Sequence, residues 1–112
     1  MQFKHRAEGD VDVLELSGKI TIGEGEVELR RTVQGMIDSG HRKILLSLEK
    51  VGFMDSAGVG ELVAGLRRAR KEGASLKLLN ANERVHSTLY IAKLLPIFET
   101  YADEQEAIGS FH

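Results

Sequence analysis

The sequence predicts one small α/β domain over residues 1–112: a mixed, mostly parallel sheet of about five strands, the first antiparallel, with about four helices. Three observations lead there. Lys43–Leu48, KILLSL, is an almost unbroken apolar run of strand length, the pattern of a central strand covered on both faces. Apolar runs alternate with amphipathic segments along the chain, and strands joined through helices run parallel. A chain of 112 residues that is 42% hydrophobic builds a single core and leaves no room for a second.

The elements follow in order. Gln2–Arg6 reads as a weak strand with Phe3 and His5 on one face, and Ala7-Glu8-Gly9-Asp10 as a turn. Val11–Ser17 is the second arm of that hairpin. Gly18–Gly23 breaks the pattern as a loop. Glu24–Ser39 is a helix with Leu29, Val33, Met36 and Ile37 at helical spacing and acidic residues in the first turn, where they suit the helix dipole. Gly40 stops it. After Lys43–Leu48, Glu49–Asp55 reads as a loop. Ser56–Glu72 is the clearest helix, its stripe formed by Val59, Leu62, Val63, Leu66 and Ala69, with Gly73 beyond its end. Glu61 and the basic run Arg67, Arg68, Arg70 and Lys71 fall largely off that stripe, as a solvated face. Leu76–Leu79 is a strand. Asn82–Ala92 is a helix opened by Asn82 and Glu83, with Val85, Leu89 and Ala92 inward. Ile97–Tyr101 is a final edge strand, and Asp103–Phe111 a closing helix.

Composition narrows the function classes. The formal net charge is −2, so bulk electrostatics does not favour nucleic acid, which needs a clustered basic face. Cysteine is absent, which removes disulfides, thiolate chemistry and cysteine-based zinc sites. The start, MQFKHRAEGD, has no apolar signal region, and no apolar run is long enough for a bilayer. A cytoplasmic protein without membrane insertion is expected. Nucleotide cradles and hydrolase elbows fail on sequence: there is neither GxxxxGK[ST] nor GxSxG. The four histidines are scattered, and no HExxH or carboxylate cluster points to a metal. No catalytic residue, cofactor or metal is therefore expected.

In an open parallel sheet, sites form beyond the carboxyl ends of the strands. The loops expected on that edge are Gly18–Gly23, Glu49–Asp55 and Asn80–Asn82. The middle one stands out: Val51-Gly52-Phe53-Met54-Asp55-Ser56-Ala57-Gly58-Val59-Gly60. Gly58 and Gly60 fall in the first turns of a helix, where each costs about 1 kcal/mol relative to alanine. Phe53 and Met54 are large apolar residues in an expected loop, and an exposed one suits a partner. Ser56 falls at the helix start, where its hydroxyl is either a cap or a phosphate acceptor, and a phosphate would add up to two negative charges beside Asp55. The glycines allow close approach of a partner, or close packing of the helix on its own sheet.

The stretch VGFMDSAGVGELVAGLRRARKEGASLKLLN resembles the heart of STAS domains, the anti-sigma factor antagonists, in which a hydrophobic strand leads into a D-S-[SA]-G-[LVI]-G turn that opens a helix. The element order matches across nearly the whole chain. The resemblance implies a protein-interaction switch: Ser56 is phosphorylated by an anti-sigma factor that is also a serine kinase, the unphosphorylated form binds that kinase, and a phosphatase resets it. It implies a contact surface at Met54, Asp55, Ser56, Ala57, Gly58 and Gly60, with Thr21 and Asn80 on the flanking loops. Two departures stand out. Many members carry an aspartate in the turn after the second strand, where this chain has Thr21-Ile22. Ala57 replaces the commoner serine and leaves Ser56 as the only hydroxyl of the turn. The alternative is a STAS docking subunit of a larger signalling or lipid-transport assembly, never phosphorylated.

Overall fold

A computed structural model describes residues 1–112, apart from the side chain of Leu95. The elements run β1 (Gln2–Glu8), β2 (Val11–Ile20), α1 (Glu24–Asp38), β3 (Lys43–Met54), α2 (Ser56–Lys71), β4 (Ser75–Leu79), α3 (Glu83–Ile91), a 3₁₀ turn (Leu95–Ile97), β5 (Thr100–Tyr101) and α4 (Glu104–Gly109). The five strands lie side by side in chain order. β1 is antiparallel to β2, and the other neighbours are parallel, as the helical crossovers require.

Alternation along the strands divides the core in two. Leu14 and Leu16 of β2, Ile44, Leu46 and Leu48 of β3, and Leu76 and Leu78 of β4 face one side. There they pack against Leu29, Val33 and Ile37 of α1, Leu62, Leu66 and Ala69 of α2, and Val85 and Leu89 of α3. Each such buried aliphatic side chain is worth about 1.5–3 kcal/mol relative to exposure. On the other side Val11, Val13, Leu45 and Leu79 meet Ala107 of α4. β3 is thus covered on both faces, as its apolar run predicts.

Much of two expected loops is strand, although Thr21–Gly23 and Asp55 lie outside it. β2 continues through Gly18-Lys19-Ile20, and β3 continues from Glu49 to Met54. They pair there as Gly18↔Val51, Lys19↔Phe53 and Ile20↔Met54, with register shifts between Glu15 and Ser17 and between Gly18 and Lys19. The shifts break the two-residue alternation, which hides the pairing from a pattern reading. At the other edge β5 is shorter than expected: Ile97 ends a 3₁₀ turn, and Phe98 and Glu99 lead irregularly into the two-residue strand. In α3 Val85 and Leu89 are inward, but Ala92, the residue after the helix, is exposed.

Glu61 is the other departure. It is 6% exposed, although it falls on the polar side of the helical reading. Its carboxylate accepts from Arg30 Nε of α1 at 2.8 Å and from Arg68 of its own helix at 2.8 Å. The pairing makes burial of this charge tolerable and ties α1 to α2. It also withdraws Arg68 from the basic run.

Candidate functional site

The long parallel pairing of β2 with β3 carries both chains to the same edge, so that the turn after β2 meets the start of α2. Asp55, in extended backbone, is the N-cap of α2. Its Oδ1 accepts the Gly58 N–H at 2.9 Å, and its Oδ2 accepts the Ile22 N–H at 2.9 Å. Its own N–H donates to the Ile20 carbonyl at 3.3 Å. The Ile22 and Gly58 amides, in that order, favour the ionised carboxylate and hold the Asp55 pKa below its ordinary value. The cap is therefore Asp55 and not Ser56. Ser56 is the first helical residue and is exposed, its hydroxyl free of the capping role that competed with phosphate acceptance.

The two glycines differ in role. A Cβ on Gly58 would stand 2.1 Å from the Ile20 carbonyl oxygen and 2.8 Å from Met54 Cγ. Gly58 is buried because α2 packs on the end of β2, and its lack of a side chain serves the fold rather than a partner. A Cβ on Gly60 would meet nothing within 4 Å, and that residue is exposed. Of the apolar pair, Met54 is 2% exposed and belongs to the core, whereas Phe53 is 41% exposed. Alternation at the end of β3 sends one inward and the other outward. Met54 is therefore corrected from the contact surface to the interior, and Phe53 takes its place outside. Ala57 is half-buried between these positions.

Ser56 opens onto a groove of about 480 Å³ between α2 and α3, lined by Ser56, Val59 and Gly60 on one side and by Thr88, Ile91 and Leu94 on the other. Ile91 is 79% exposed on its rim, and Ile22, in the turn tied to Asp55, is 76% exposed. These residues were missed from sequence. The available signal was that Tyr90 and Ile91 are apolar yet stand off the Val85–Leu89 stripe. Thr21, half-buried, joins the site through the Ile22–Asp55 bond and through its carbonyl, which accepts the Glu26 N–H at 2.9 Å. Asn80 is not brought to Ser56: it lies at the end of β4, lining a separate polar cleft with Glu49, Asn82, His86 and Tyr101. Asn82 caps α3 at the Val85 N–H (3.0 Å), and its amide nitrogen donates to the Val51 carbonyl at 2.5 Å, which fixes α3 against β3.

Among the described residues no group of three or more His, Cys, Asp or Glu is placed to hold a metal ion, and no helix is long and apolar enough to cross a membrane. His5 and His41 instead both meet the buried carboxylate of Asp12, at 2.7 and 2.5 Å, near the start of β2.

Comparison with known proteins places this arrangement. The STAS domain profile matches residues 3–107. The anti-sigma-B factor antagonist of Bacillus subtilis is 30% identical over 101 residues, 90% of each chain. A candidate anti-sigma factor antagonist from Thermotoga maritima has a crystal structure that superposes with a TM-score of 0.88 at 27% identity, over 96% of this chain and 92% of that one. The Bacillus cell fate determinant SpoIIAA in its phosphorylated form shares the fold, with a TM-score of 0.75 at 24% identity over 99% of this chain and 100% of that one. With the profile spanning β1 to α4 and the Asp55–Gly60 turn capping α2, the chain belongs to the STAS domain family.

Proposed function

We propose that this protein is an anti-sigma factor antagonist: a switch that binds an anti-sigma factor serine kinase and is controlled by phosphorylation of Ser56. The observation that carries the reading is the division of labour at the turn. Asp55 does the capping, so Ser56 stands exposed with its hydroxyl available beside an open groove. The likeness to the Bacillus subtilis antagonist supports the same assignment.

The chemistry belongs to the partner. The Ser56 oxygen attacks the γ-phosphorus of a nucleoside triphosphate held by the kinase, the bond to the bridging oxygen breaks, the diphosphate leaves, and the hydroxyl proton passes to a base on the kinase. The product carries up to two negative charges next to an ionised Asp55, on the rim of an apolar groove. That penalises a partner seated there, by repulsion and by desolvation of the dianion, while the buried fold beneath is untouched. Removal of the phosphate by a phosphatase restores the binding form. The contact surface is Ser56, Ala57 and Gly60 with Phe53, Ile22 and the exposed side of Asp55. The protein works in the cytoplasm, where its kinase partner and the transcription machinery meet.

The test uses purified serine kinases of the anti-sigma class encoded in the same genome, with a γ-labelled nucleoside triphosphate. Wild-type protein takes one phosphate, on Ser56, whereas Ser56→Ala takes none but still binds the kinase. Label on another residue in equal yield overturns the assignment.

A further inference from the structure

We propose that Arg84 of α3 is the cation that receives a phosphate placed on Ser56, across the groove between α2 and α3. The inference rests on the proposed phosphorylation of Ser56 and names the residue that reads it.

Two of the donors near Ser56 are already taken. The Gly58 and Ile22 amides are both held at 2.9 Å by Asp55, so a phosphate on Ser56 stands beside a carboxylate and does not inherit these hydrogen bonds. A positive partner from elsewhere would balance its charge. Thr88 and Ile91 of α3 line the same groove as Ser56. Arg84 lies one helical turn before Thr88 on that face, and the Thr88 hydroxyl donates to the Arg84 carbonyl at 3.0 Å. The Arg84 guanidinium reaches the Gly52 carbonyl, four residues before Ser56, at 3.4 Å. That bond is long and exposed, and Arg84 has no carboxylate partner among the described residues. The group is thus held near the end of β3 by a contact weak enough to be exchanged for a charged one. A guanidinium also matches phosphate oxygens with paired donors.

Three other cations are committed or face elsewhere. Arg30 and Arg68 are bound to Glu61. Lys19 stands opposite Phe53 in the β2–β3 register, on the strand face away from the buried Ile20 and Met54. Lys93 is the main rival: it stands between Ala92 and Leu94, which line the same groove as Ser56, and itself lines an adjoining hollow with Tyr90, Ile91 and Pro96.

The experiment installs phosphoserine at position 56 during translation and titrates it by ³¹P NMR, in the full chain and in Arg84→Ala, Arg84→Lys and Lys93→Ala backgrounds. The second phosphate pKa is expected to rise by about half a unit in Arg84→Ala, a threefold change in proton affinity, with Arg84→Lys intermediate and Lys93→Ala unchanged. The difference should shrink at high salt, as expected for an exposed pair. Equal values in wild type and Arg84→Ala, or a shift only in Lys93→Ala, overturn the proposal. Because no kinase is involved, a failed kinase assay would sink the proposed function without touching this result, and an unchanged titration would sink the role of Arg84 alone.

Discussion

The Ile20 carbonyl oxygen stands 2.1 Å from where a Cβ on Gly58 would lie, so the end of β2 leaves no room for any side chain at that point of α2. The oxygen is backbone, held in the sheet, and cannot swing aside. Gly58→Ala should therefore destabilise the fold by about 1–3 kcal/mol, which outweighs the gain of about 1 kcal/mol in helix propensity. Gly60→Ala, two residues on, meets open space and should stabilise by up to about 1 kcal/mol while weakening the proposed kinase complex. Urea denaturation of the two variants, with kinase binding measured on Gly60→Ala, checks both halves.

Phe53 and Met54 should separate in the same way. Met54→Ala removes a buried side chain and should cost about 2–5 kcal/mol. Phe53→Ala removes a ring that is 41% exposed and should cost about 1 kcal/mol or less, its larger effect falling on partner affinity. Thermal melts beside a binding titration distinguish them.

Asp55 gives a pH signature. Its pKa is depressed by the Ile22 and Gly58 amides, so its contribution is complete above the ordinary value of 3.8 and is lost only as pH falls through the lower folded value. The Ile22 and Gly58 amide resonances should move together, with one midpoint below 3.8, and neither transition should appear in Asp55→Asn. An NMR titration of the two amides reads this directly.

Glu61 couples two arginines. Arg30→Ala and Arg68→Ala each leave its carboxylate one partner, but together they leave it buried with neither. The double variant should lose more than the sum of the singles. The excess should be about 0.5–3 kcal/mol, toward the low end because both guanidinium groups are partly in water. A double-mutant cycle by chemical denaturation measures it.

These residues also show where the sequence was legible. Helices and the central strand followed from apolar spacing, because Leu62, Leu66 and Ala69 or Ile44, Leu46 and Leu48 repeat at the period of their element. The ends of β2 and β3 did not, since two register shifts interrupt their alternation, and Phe53 and Met54 were consequently expected in a loop. Ser56 was legible as a candidate, but its rivalry with Asp55 for the cap is a question of backbone geometry that residue types leave open. Glu61 illustrates the remaining limit: its burial depends on Arg30, thirty-one residues away, and no local pattern announces such a partner.

The central claim is that charge added at Ser56 changes the docking surface without changing the fold. The most direct measurement is the affinity of one purified kinase partner for the protein before and after phosphorylation of Ser56, with the melting temperature followed on both forms. The account predicts a loss of affinity of at least about tenfold, with melting little altered. Equal affinity of the two forms, or a loss that simply tracks unfolding, would contradict it.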